Sequence, residues 1–208
     1  GRENLAEGVQ ARYPLNVVDY RPLLRAALIN LDRWVSQGIE PPPSRHPRLN
    51  DGTAVTRPKL LASLNIVPDL VNPDPERLWV LREVDLGIEA DLGVGRYPVQ
   101  EGRAYTCFVA AVDTDGNEVG GIRLPDLEVP VGTHAGWNLR NPENGAPEQI
   151  ISMLGFSDFF PATREAREAT GDRRPSIQER YESRAAYLKQ VHEVAGRLVS
   201  EGYVLEED

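Results

Sequence analysis

Apolar residues recur at helical spacing in two long stretches of the chain. In "DYRPLLRAALINLDRWVSQG" (19–38), Leu23, Leu24, Ala27, Leu28, Leu31, Trp34 and Val35 share one face of a helix. Asp19 is placed to cap its start. Pro22 falls in the first turn, where the missing N–H costs nothing, and Gly38 suits the stop. The prolines of "EPPPS" end the helix. The second stretch, "SIQERYESRAAYLKQVHEVAGRLVSEG", predicts one long helix over 176–201. Ser176 and Glu179 form a capping box, Ala185, Leu188, Val191, Ala195, Leu198 and Val199 form the apolar face, and Gly202 closes it.

Between the helices the pattern turns toward period two. "ERLWVLREVDLG" reads as a strand, with Leu78, Val80 and Arg82 set against Trp79, Leu81 and Val84. The clearest β region is 95–131, where "AYTCFVAAV" and "EVGGIRL" flank "DTDGN" as the arms and loop of a hairpin. "IISMLGFSDFFPAT" reads as a helical turn with a buried anchor, and "REAREATGDRRP" as charged surface. No internal repeat or low-complexity tract is present.

At 208 residues the chain can bury a substantial core in one or two domains. Its 17 prolines exceed the average usage of about 5% and imply extended connections and many turns. A net charge of −9 without a basic stripe argues against nucleic acid. No apolar run reaches the roughly 18 to 20 residues of a membrane span. The single cysteine, Cys107, excludes an internal disulfide and reads as a buried strand thiol; it does not indicate a compartment. The chain opens on Gly1, and its one methionine is Met153, so it reads as a fragment, a processed chain or an expression product with a tag removed.

The segment richest in chemistry is "VPVGTHAGWNLR" (129–140), which gathers His134, Trp137, Asn138 and Arg140 on what reads as a loop leaving a strand. A histidine base needs a nucleophile in reach and an orienting carboxylate. Ser157 in "GFSDF" lacks the second glycine of a nucleophile elbow, so it is not expected to be that nucleophile. His134 reads first as a histidine satisfied by the backbone and next as pocket lining. His46 reads as part of a proline-rich connector and His192 as part of a solvated helix face. In "DTDGNE", Gly116 stands fourth and Leu124 twelfth, whereas a calcium loop wants glycine sixth and glutamate twelfth, so a plain turn is expected. Asp172, Arg173, Arg174 and Arg180 could receive an anion at a helix start, but read more simply as an ion-pair network beside a cap.

Four segments resemble a known family: "YPLNVVDYRPLLRAALINLDRWVSQGIEPPPSRHPRLNDGT", "VAAVDTDGNEVGGIRLPDLEVPVGTHAGWNLR", "GFSDFFPATREAREATGDRRPSIQERY" and "YLKQVHEVAGRLVSEGYVLEED". In this order they resemble the C-terminal part of the large bacterial "alpha/beta hydrolase domain" proteins; residues 60–100 carry less of the likeness. The resemblance implies an α/β or α+β fold. Residues 1–40 would hold the final core helix of an α/β-hydrolase-like domain, and 41–208 a β-rich accessory segment ending in a long helix (176–201). In that architecture the nucleophile and catalytic histidine come earlier than the final helix. No family catalytic residue maps onto this chain.

The resulting expectation is the C-terminal part of a serine-type hydrolase acting on a small-molecule ester or amide, without metal or other cofactor. His134, Trp137, Asn138 and Arg140 are its substrate-binding candidates, and its partner is the N-terminal hydrolase portion, from the same precursor or a second chain. Two rivals stand beside it: a non-catalytic binding or assembly module of a larger complex, and a calcium-dependent structural domain built on Asp113, Asp115 and Asn117.

Overall fold

A computed structural model describes residues 3–4, 8–151 and 153–208. They form a mixed α+β structure whose strands pair as four separate two-stranded antiparallel ribbons. β1 (Glu3–Asn4) pairs with β2 (Val9–Gln10), and β3 (Ala54–Thr56) with β6 (Phe108–Ala110). β4 (Arg82–Asp85) pairs with β5 (Gln100–Ala104) across a bulge, and β7 (Gly132–Ala135) with β8 (Phe156–Phe159). Six α-helices accompany them among the described residues: α1 (Arg21–Gln37), α2 (Arg57–Ser63), α3 (Pro125–Glu128), α4 (Arg164–Thr170), α5 (Ile177–Arg180) and α6 (Arg184–Ser200). None is long and apolar enough to cross a membrane.

The first predicted helix is present, and Gly38 ends it in the left-handed region at φ 70°, its N–H donating to the Trp34 carbonyl. The cap differs from expectation. Tyr20 is the N-cap, and Asp19, one residue earlier, accepts the Arg21 N–H at 3.0 Å and grips the Arg21 side chain. The face pressed inward also differs. Ala26 is buried, with Leu23 and Asn30 half-buried beside it, whereas Leu24, Leu28, Leu31, Trp34 and Val35 stand exposed.

The second predicted helix is broken. Ser176 and Glu179 do form the capping box, but α5 lasts one turn before Tyr181 goes extended at φ −123°. Ser183 then caps a fresh start for α6 by accepting the Ala186 N–H. The Tyr181 hydroxyl donates to the Pro130 carbonyl at 2.8 Å, so a tertiary bond fixes the break. Val194 and Leu198 are the buried residues of α6, while Ala185 is exposed. They pack with Leu124, Val129, Tyr203 and Val204, and Val18 and Leu23 lean on the same core.

The β expectations need four corrections. The strand expected from Leu78 begins only at Arg82, because β5 supplies partners from Arg82 onward. "EVGGIRL" forms no strand: beyond the Val112–Glu118 bridge its chain leaves for α3. Cys107 is half-buried and precedes β6 rather than lying within a buried strand. "GFSDFF" is a strand and not a helical turn, since β7 pairs with it.

The β4–β5 arm leaves its apolar residues in water, with Trp79 98%, Ile88 99% and Tyr97 95% exposed. Together with α1 this gives the chain 13749 Å² of accessible surface, where a compact chain of 23.1 kDa has about 9,700 Å².

Candidate functional site

The β7–β8 ribbon is where the chemistry-bearing residues collect. Its strands approach so closely that two glycines are required. A Cβ on Gly132 would lie 2.8 Å from the Asp158 carbonyl oxygen, and one on Gly155 would lie 2.0 Å from that of Ala135. The register sets Thr133 opposite Asp158 and His134 opposite Ser157. Alternation then sends these two pairs to opposite faces, and Thr133, His134 and Ser157 are all buried.

On the Thr133 face stands Arg174, which is 1% exposed. Its guanidinium donates to Thr133 Oγ1 at 2.7 Å, to Asp158 Oδ2 at 2.6 Å and to Asp172 Oδ2 at 2.7 Å. Burial works against its charge, but the bonds to Asp172 and Asp158 outweigh it, and the guanidinium pKa is raised. Arg180 forks both oxygens of Asp115 and stacks over Phe160 at 4.1 Å, and Arg173 is exposed. The cluster expected as an ion-pair network is therefore one, except for Arg173.

The "DTDGN" turn is docked on the edge of β7. Gly116 takes φ 81°, and a Cβ there would meet Thr133 Cγ2 at 2.8 Å. Asn117, fully buried, donates from Nδ2 to the Gly132 carbonyl at 3.0 Å and accepts the His134 N–H at 2.8 Å. Its side-chain amide thus pairs with β7 as a neighbouring strand would. These contacts engage the side chains on which the calcium reading was built. Asp113 spends one oxygen on the Asp115 and Asn117 N–H groups and the other on Arg123, and Asp115 is held by Arg180. Among the described residues no group of three or more His, Cys, Asp or Glu is arranged to hold a metal.

On the opposite face His134 Nδ1 lies 2.8 Å from Ser157 Oγ. Ser157 Oγ also accepts the Val17 N–H at 3.1 Å. The imidazole meets Phe159 edge-on, and its Nε2 is buried without a partner. Burial holds the His134 pKa below its ordinary 6.5, and Asp126 pulls weakly the other way. His134 lies within β7 and not on the loop expected. Pairing with Ser157 was not legible, since the two are 23 residues apart. A hydrolytic pair needs an accessible hydroxyl and a carboxylate on the far imidazole nitrogen. Here Ser157 is 1% exposed and its hydroxyl already accepts an amide N–H.

The remaining candidates do not converge on His134. Asn138, fully buried, donates to the carbonyls of Tyr13 at 3.0 Å and Gly155 at 3.2 Å, and accepts the Tyr13 N–H at 3.2 Å. Its whole amide is used to splice the N-terminal segment to the turn before β8. Trp137, half-buried, sets its edge on Phe156 with 5.2 Å between centroids. Arg140 donates to the Asn144 carbonyl at 3.2 Å and bridges to Ala11. His46 and His192 are exposed. Among the cavities that lie elsewhere are one of about 730 Å³ beside Trp79 and Arg57, one of about 450 Å³ between Asp115, Arg180 and Tyr181, and one of about 290 Å³ between α1 and Pro41–Pro43. Sequence reasoning named Asn117 only as a calcium candidate and missed its pairing with β7, and it missed the depth of Arg174. A partial signal was the Asp172-x-Arg174 spacing, which allows the side chain to fold back on its own loop.

The model of the "Alpha/beta hydrolase domain" family matches residues 2–208. No curated protein matches the chain, and no solved structure does.

Proposed function

The chain belongs to the alpha/beta hydrolase domain family, and on that premise we propose that it works within a serine-type hydrolase of ester or amide substrates. It supplies scaffold and pocket lining, and the nucleophile is carried by another portion of the hydrolase. The observation behind this reading is the closed state of the Ser157–His134 pair: the hydroxyl is enclosed, and the far imidazole nitrogen has no carboxylate. Trp137 and Arg140, half-buried beyond the end of β7, would line its pocket, with His134 and Asn138 holding the backbone behind them. The bare stripe of α1 is the surface on which the other portion would seat, because an apolar stripe of this width gains most when covered.

The test is hydrolysis of p-nitrophenyl esters by the intact protein, with fluorophosphonate labelling and peptide mapping. The label is expected on a serine other than Ser157, with Ser157→Ala and His134→Ala keeping their turnover per folded molecule. Trp137→Ala is expected to raise KM. Labelling at Ser157 would overturn the proposal. The enclosed polar site and bare α1 stripe equally favour a second reading, a non-catalytic assembly module. A stable complex without ester hydrolysis would select it.

A further inference from the structure

The segment from Arg12 to Val17 crosses the β7–β8 ribbon and leads directly into α1. Three of its ties are backbone hydrogen bonds: Arg12 N–H to the Leu139 carbonyl at 2.7 Å, Ser157 N–H to that of Pro14 at 3.1 Å, and Asn16 N–H to that of Gly155 at 2.9 Å. Others run through the Asn138 amide, which pairs with Tyr13, and through the Asn16 side chain, which donates to the Ala135 carbonyl at 3.1 Å. The tie nearest α1 runs through a hydroxyl: the Val17 N–H donates to the Ser157 hydroxyl oxygen. That hydroxyl in turn faces His134 Nδ1. A titratable group therefore controls one end of the segment.

We infer that His134 and Ser157 form an acid-sensitive latch, which holds the segment 12–17 on β8 while His134 is neutral and releases it when His134 is protonated. With the neutral ring protonated on Nε2, the Ser157 O–H donates to Nδ1 and leaves its oxygen lone pairs for the Val17 N–H. Every group of the pair except Nε2–H is then satisfied. In the imidazolium, Nδ1 becomes a donor. Ser157 must accept from both His134 and Val17, and its own hydrogen turns into a buried space with no acceptor. The ring charge is also enclosed, with Nε2 still unpartnered.

The charged groups around the pair do not supply a counter-ion in contact. Asp126 on α3 is the carboxylate whose field reaches the ring, and it opposes release. Glu128 on α3 is taken by Arg197. Asp158 on β8 faces away and is held by Arg174, and Asp113 and Asp115 on the turn are held by Arg123 and Arg180. Arg12 on the segment itself is a cation and lies over Tyr13. Burial keeps the ring neutral to a lower pH than usual, so the latch is closed through the neutral range.

Hydrogen exchange of the intact protein between pH 8 and pH 5 tests this, with rates corrected for intrinsic pH dependence. Opening at the Val17 amide is expected to rise by up to about tenfold per pH unit below 6.5, the ordinary histidine value. Amides of α6 are expected to stay unchanged, and His134→Gln to lose the pH dependence. A flat wild-type profile, an equal rise throughout α6, or the same slope in His134→Gln would overturn the latch. Should His134→Gln not fold, NMR titration of the wild type decides: the His134 ring proton and the Val17 amide must share one midpoint, and separate midpoints overturn the inference.

Discussion

Arg174 meets Asp158 at 2.6 Å, with the guanidinium side chain 1% exposed and the carboxylate side chain 41% exposed. The same guanidinium holds Asp172 and Thr133, so one side chain ties the loop before α5 to both strands of the ribbon. Removing it would leave the buried Asp172 carboxylate uncompensated. Arg174→Ala is therefore expected to destabilise the chain by about 3–5 kcal/mol, and Arg173→Ala by under about 0.5 kcal/mol. Thermal and urea melts of both variants measure the difference.

Gly155 and Gly136 lie on either side of a sharp contrast. A Cβ on Gly155 would lie 2.0 Å from a backbone oxygen, while one on Gly136 would meet nothing within 4 Å. Gly155→Ala must push the two strands apart and is expected to cost at least about 1–3 kcal/mol. Gly136→Ala is expected to leave stability unchanged or raise it by about 0.4–1 kcal/mol. Denaturation midpoints of the pair check both outcomes.

The capping box at α5 carries an acid-side prediction. Ser176, through its N–H and then its hydroxyl, holds Glu179 well below the usual carboxylate range, at about 2, with Arg167 adding to the effect. A carboxylate with a depressed folded pKa stabilises the native state above its unfolded value of 4.5 and loses that contribution as pH falls toward 2. Glu179→Gln is expected to flatten this part of the stability profile. Ser176→Ala is expected to cost about 1 kcal/mol at neutral pH. Urea titrations across the acid range would show whether the two effects separate.

Leu28 tests the bare face of α1, being 67% exposed. Leu28→Lys is expected to change the stability of the lone chain by less than about 0.5 kcal/mol. If α1 seats the portion proposed to carry the nucleophile, co-sedimentation with that portion is expected to fall sharply. A large drop in melting temperature of the lone chain would instead mean that this face is covered by the chain itself.

Local signals were legible wherever a few neighbouring residues decide the outcome. Gly38 ends α1, Ser176 and Glu179 close their capping box, and Gly116 turns the chain after Asp115, because each rests on dihedral freedom or a hydrogen bond spanning a few residues. The family likeness was legible from the four long segments quoted above. Tertiary structure alone decided the partnerships across distance. His134 faces Ser157 because strand register places them opposite, and Arg174 is buried because two strands arrive on either side of it. The predicted long helix breaks at Tyr181 because its hydroxyl finds the Pro130 carbonyl, 51 residues away. The sequence by itself determined that α1 has an apolar stripe; packing decided that Ala26 and Leu23, and not Leu28 or Val35, turn toward this core. The physical reason is that periodicity records which residues gain from leaving water, whereas the surface that covers them is set by groups far away in the chain or on another one.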